Sequence, residues 1–273
     1  MLLVPVKGNV KIAVYDPHPG GRETVLMLHG WPLAAKMYEY QERVLIDNGY
    51  RVITLDLRGF GNSDAPGNGY GYDQLADDLY QVVRRLNLRN FTLAGFSMGG
   101  AIALRYMRRC QGYGVKRLLL IAAAAPRFTE APGFPYGMTR EQAEDMVRQA
   151  ETDRAQLAQD FSRMLLARPH SEAIKDWFRN IALEASGIGT VRTAVSLRDE
   201  DGRDDLPWAH VPTVIFHGTK DVVVPYTMAL IQHQAISGSR LYTFEKSGHG
   251  VFYDERELFN RRLLESLGGR TPL

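Results

Sequence analysis

The chain has 273 residues, 45% of them hydrophobic, with 33 Lys plus Arg against 31 Asp plus Glu and one cysteine. A chain near 300 residues buries roughly 75% of its unfolded surface, which suits one domain with an inserted lobe, and a formal net charge of +2 argues against a dedicated nucleic-acid binder. Cys110 has no disulfide partner, no CxxC pair offers a zinc or redox site, Met1 to Val10 lacks a signal-peptide pattern, and the longest apolar run, Leu118 to Ala125, is too short for a membrane span, so a cytoplasmic protein without membrane contact is expected.

Val4 to Val6 and Val10 to Tyr15, joined through Gly8 and Asn9, read as an antiparallel hairpin at a sheet edge. Short apolar runs then alternate with amphipathic stretches. Strands are predicted at Thr24 to Leu28, Arg51 to Leu55, Phe91 to Ala94 and Lys116 to Ile121, and helices at Tyr38 to Asn48, Tyr72 to Leu86 and Gly99 to Cys110. Such alternation predicts a mostly parallel sheet covered by helices. After Ile121, Pro126, Pro132, Gly133, Pro135 and Gly137 interrupt any regular element.

Thr139 and Gln142 make a capping box for a long helix toward Ala167, stopped by Pro169. Ser171 is the expected cap of a second helix to about Ala185, and Thr190 of a third. The reading is an all-helical cap, residues 129–205, inserted in a core made of residues 1–128 and 206–273. The charge run Asp199 to Asp205 reads as a solvated return loop. Strands resume at Val211 to His217 and Arg240 to Glu245, eight in all, before a closing helix from Glu255 to Leu267.

Gly95, Phe96, Ser97, Met98 and Gly99 spell GxSxG between an apolar run and a helix. A serine on that tight turn is exposed at a helix N-terminus, with glycines leaving room around it. Its hydroxyl needs a base. Of seven histidines, His249 is the candidate, in the loop Ser247 to Gly250 after the last strand. His18, His170, His210 and His233 read as solvated, and His217 as packed and hydrogen-bonded.

Asp221, just past the preceding strand, is the candidate acid, ahead of Glu245 and Asp254. The order Ser97, Asp221, His249 is one of the known triad orders. Acyl transfer also needs N–H donors for a developing oxyanion. Met98 supplies one, and Trp31 the other, because Gly30 allows close approach and Pro32 has no N–H. Asp56 and Arg58 pin an ordered loop, Asp56 to Asp64, beside the site. Neither GxGxxG nor GK[ST] occurs there, so no nucleotide fingerprint is present.

These stretches, HGWP at 29 to 32, DLRGFGNSD at 56 to 64, GFSMGG at 95 to 100, HGTKDVVVP at 217 to 225 and SGHG at 247 to 250, resemble the α/β-hydrolases. Within that family the chain is most similar to the cofactor-free bacterial haloperoxidase and aryl esterase group. The resemblance implies an α/β-hydrolase fold, a triad of Ser97, Asp221 and His249, an oxyanion hole of Trp31 and Met98, and no metal or cofactor. It also implies hydrolysis of small aryl or short-chain alkyl esters through an acyl-enzyme, with perhydrolysis as a side activity. Trp31, Phe128, Phe161 and Val224 are the expected pocket residues. Lactonase, peptidase and carbon–carbon hydrolase chemistry would use the same triad, and the scaffold also serves as a ligand receptor. The sequence is compatible with a homo-oligomer.

Overall fold

In a computed structural model, residues 1–268 are described. The eight strands are β1 (Leu2–Pro5), β2 (Lys11–Tyr15), β3 (Thr24–Leu28), β4 (Arg51–Leu55), β5 (Phe91–Phe96), β6 (Val115–Ile121), β7 (Thr213–Gly218) and β8 (Arg240–Phe244). They form one sheet in the order β1-β2-β4-β3-β5-β6-β7-β8. β1 and β2 pair antiparallel, as does β2 with β4, and every later pairing is parallel. The opening hairpin turns where expected, since Gly8 (φ 79°) and Asn9 (φ 60°) take the left-handed backbone such a reversal needs.

The helices between strands are α1 (Glu39–Asp47), α2 (Tyr72–Arg85) and α3 (Met98–Arg109), followed after β6 by α4 (Arg140–Thr152), α5 (Arg154–Met164), α6 (Glu172–Leu183) and α7 (Gly187–Asp199). α8 (Thr227–Ala235), α9 (Val251–Asp254) and α10 (Arg256–Ser266) complete the chain. Successive strand residues serve opposite faces. Leu26, Leu28, Leu93 and Leu118 therefore join the core under α2 and α3, while Val25, Met27, Phe96 and Phe216 join the core that takes in Phe259 and Leu263 of α10. Burial on both faces explains why the strands read as continuous apolar runs.

The helices depart from expectation in three places. Thr139 does cap α4, accepting Gln142 N–H at 3.2 Å while Gln142 Oε1 accepts Thr139 N–H at 3.0 Å. The helix stops at Thr152, however, because Asp153 leaves the helical region (φ −149°) and uses its carboxylate to cap α5, accepting Gln156 N–H at 3.0 Å. The third helix is capped by Ser186, whose Oγ accepts Gly189 N–H at 2.9 Å, and Thr190 lies inside it. α8 had no counterpart among the predicted elements.

The charge run is the largest departure. Asp205 is buried, accepting from Arg105 Nε at 2.8 Å and Arg108 Nη1 at 3.2 Å, and Arg105 also reaches Asp73 at 2.6 Å, Glu200 at 3.2 Å and the Asp201 carbonyl at 3.0 Å. Asp199, Arg203 and Asp204 are exposed, as a solvated run would be, but Glu200, Asp201 and Asp205 fasten the end of the helical segment to α3. Breaking such a buried pair strands a charge, at about 3–5 kcal/mol. Among the described residues no helix is long and apolar enough to cross a membrane.

Candidate active site

Ser97 sits between β5 and α3 with φ 53° and ψ −120°, a conformation side-chain-bearing residues rarely adopt. The surrounding backbone holds it there. Ser97 N–H donates to Ile121 O at 2.9 Å, and Ser97 O accepts from Gly100 N–H at 2.9 Å and Ala124 N–H at 3.0 Å. A side chain at Gly95 would run into the Gly99 carbonyl, and one at Gly99 would meet the Leu28 carbonyl at 2.6 Å. The glycines thus provide both the tight turn and the close approach of α3 to β3.

The loop after β3 lies against this elbow, since a Cβ on Gly30 would come within 2.8 Å of Ser97 Cβ. Within the described residues no acceptor takes the backbone N–H of Trp31 or of Met98. The Trp31 indole N–H donates to Thr190 O of α7 at 3.0 Å, and its ring meets Phe161 edge-on at 6.3 Å. Arg58 grips Asp78 at 2.5 and 2.7 Å, and Asp56 accepts Ala35 N–H, Asn62 N–H and Tyr15 O–H, so the Asp56–Asp64 loop is pinned as expected.

His29 is fully buried, donating from Nδ1 to Gly30 O at 2.9 Å and accepting Leu57 N–H on Nε2 at 3.0 Å. Burial holds its pKa below the ordinary histidine value, against the opposing charge of Asp56. The unfolded chain therefore takes up this proton first, so the His29 contribution is complete above pH about 6.5 and declines as the pH falls below it. Between pH 7.5 and 5, denaturant titrations should show wild type losing up to about 2 kcal/mol more stability than His29→Gln. Equal losses in the two proteins would refute this role.

Asp221, past the end of β7, is buried with its side chain sealed from solvent. Its Oδ1 accepts Val223 N–H at 2.9 Å and Val224 N–H at 2.8 Å; its Oδ2 lies 2.8 Å from His249 Nδ1 and 3.3 Å from His217 Nε2. Burial alone would raise its pKa, but His249 and His217 outweigh that and hold the carboxyl well below the usual range. His217 Nε2 also donates to Val224 O at 2.9 Å, in keeping with a packed role.

His249 is fully buried, its ring 4.7 Å from that of Phe96, and its Nε2 has no hydrogen-bond partner among the described residues. No bond joins it to Ser97 Oγ; in catalytic sites that bond is often long and tightens when substrate binds. Of the competing acids, Glu245 is exposed, while Asp254 is buried and bound to backbone N–H groups. His170, expected to be solvated, instead lies 2.8 Å from Asp254.

Ser97, Trp31, Phe128 and Phe161 line one cavity of about 580 Å³, together with Met138, Met146, Leu157, Leu197, Val222 and Val223. Val224 does not, because its backbone is bound to Asp221 and His217 and its side chain belongs to the core. Met138, Met146 and Leu197 also line it and were not among the expected pocket residues. Cys110 ends α3, and burial pushes its thiol up to about 12, which leaves it a packing residue.

A mostly parallel eight-stranded sheet with a serine elbow at the carboxyl end of a central strand is the architecture of the α/β-hydrolase class. The family model described as the alpha/beta hydrolase fold matches residues 23–256, and the chain belongs to that family. It is 44% identical to the AB hydrolase superfamily protein YisY of Bacillus subtilis, covering 93% of this chain and 95% of that one. An esterase from Exiguobacterium antarcticum superposes with a TM-score of 0.95 at 44% identity, covering 98% and 99% of the two chains. A bromoperoxidase from Bacillus anthracis does so with a TM-score of 0.91 at 32% identity, covering 96% and 97%.

Proposed function

We propose that the chain is a serine esterase acting through an acyl-enzyme on Ser97. The observation that carries this reading is the Asp221–His249 pair at 2.8 Å beside the unpartnered, cavity-lining Ser97. His249, fixed by Asp221 with its proton on Nδ1, offers Nε2 to take the Ser97 proton as Oγ attacks the ester carbonyl. The N–H groups of Met98 and Trp31, free of partners among the described residues, stabilise the oxyanion. His249 then protonates the leaving alcohol, and water releases the acyl group by the reverse sequence. Hydrogen peroxide in place of water would release a peracid, a side reaction favoured by the likeness to a bromoperoxidase.

The apolar lining of the cavity bears on the acyl group. Met138, Met146, Leu157 and Phe161 offer surface that an acetyl group would leave uncovered. Each additional methylene buried there is worth about 0.8 kcal/mol, or about fourfold. With p-nitrophenyl esters, kcat/KM should therefore climb from acetate through butyrate, and parallel assays with hydrogen peroxide should yield peracid. Absence of turnover on every ester of the series would overturn the esterase reading.

A further inference from the structure

The loop bearing His249 is held from outside the sheet. Asp254 Oδ2 accepts Gly248 N–H at 2.8 Å and Ala167 N–H at 2.8 Å, while Oδ1 accepts Arg168 N–H at 3.1 Å and lies 2.8 Å from His170 Nε2. A carboxylate can only accept, so His170 donates. Arg168 Nη1 donates to Asp254 O at 2.8 Å, and Gly250 N–H donates to Leu165 O at 2.6 Å. One buried carboxylate thus ties the residue before His249 to the strap Leu165–His170, which connects α5 to α6.

The glycines flanking His249 report the same contact. A Cβ on Gly248 would lie 3.0 Å from Ala167 N, and one on Gly250 would lie 2.7 Å from Leu166 Cδ2. Neither glycine takes a positive φ, so what the strap demands here is space. The SGHG loop is clamped on both sides of the histidine.

We propose that Asp254 is a positioning residue for His249, and that His170, a residue of the helical segment outside the substrate cavity, acts on the chemical step through it. Docking of the strap and placement of the base are then one event. The inference rests on the esterase reading for its kinetic consequence. A base displaced by about 1 Å loses on the order of 10²-fold in rate, with substrate contacts unchanged.

The test uses His170→Ala, Asp254→Ala, Asp254→Asn and the double variant His170→Ala/Asp254→Ala, each confirmed as folded at the assay temperature by a thermal melt. With p-nitrophenyl butyrate, His170→Ala should lower kcat about threefold to tenfold and Asp254→Ala by about 30-fold or more, with KM held within about twofold. The double variant should be no slower than Asp254→Ala, because His170 works through that carboxylate. If Asp254→Ala does not fold, Asp254→Asn, which keeps one acceptor, takes its place in the comparison. A folded His170→Ala with wild-type kcat, or losses that multiply in the double variant, would overturn the proposal. Amide hydrogen exchange separates this from failure of the esterase reading: protection of Gly248 should fall about tenfold in His170→Ala even in the absence of any turnover, and unchanged protection refutes the coupling.

Discussion

Ser97→Ala should lose at least about 10⁴-fold of ester turnover while melting within a few degrees of the parent protein. On the proposed acyl-enzyme mechanism the kinetic figure follows from removing the atom that forms the acyl bond, and loss of a triad serine costs on the order of 10⁶ in kcat where it has been isolated. The stability figure follows from the site. No hydrogen bond within the described residues holds Ser97 Oγ, and the contacts that fix the elbow run through the Ser97 backbone, which alanine retains. Alanine also keeps the positive φ and its strain. Steady-state kinetics on p-nitrophenyl butyrate, with labelling by a fluorophosphonate as a second readout, decide the matter. Turnover within tenfold of wild type, or labelling at a residue other than Ser97, would remove Ser97 from the mechanism.

Asp221→Asn should cost about 10⁴-fold in kcat with KM nearly unchanged. The geometry says why an isosteric change is so severe. Val223 and Val224 both donate to Oδ1, so the asparagine oxygen is drawn to that position and the amide nitrogen is turned toward His249. The nitrogen donates to Nδ1, which forces the imidazole proton onto Nε2. The ring then presents a proton to Ser97 where the proposed mechanism needs a lone pair. The turned amide would also face His217, whose Nε2 already donates to Val224 O. Loss of less than about tenfold, measured at the same pH on a folded variant, would show that Asp221 does not set the tautomer.

Legibility in the sequence followed the range of the interactions involved. The strands could be read because a sheet buried on both faces imposes apolar runs, and the elbow could be read because its glycines are required locally by the close approach of α3 to β5. The meeting of Asp221 with His249 was readable because strand ends define where loops can meet. The helical segment was harder. Asp153 looks like an ordinary polar position on a helix until its side chain is seen capping α5, and Ser186 and Thr190 are both good caps, so only packing chooses between them. The Asp199–Asp205 run was misread because its partners, Arg105 and Arg108, lie on a helix far away in sequence. Asp254 was weighed only as a rival to Asp221, and nothing local connects it to Ala167 or His170. The α8 helix begins just after the loop bound to Asp221, and its apolar residues carry little amphipathic signal.

The helical segment lies between two strands that are neighbours in the sheet, with Leu118 of β6 opposite Thr213 of β7. The entropy of closing a loop grows only with the logarithm of its length, so doubling the segment would cost the sheet about 0.6 kcal/mol. The sheet therefore tolerates a segment of very different length at this junction with almost no expense to its own closure. The segment is seated through two sockets, the Asp205 carboxylate on Arg105 and the Ala167 and Arg168 backbone donors on Asp254, and these contacts rather than its length fix how it sits on the sheet.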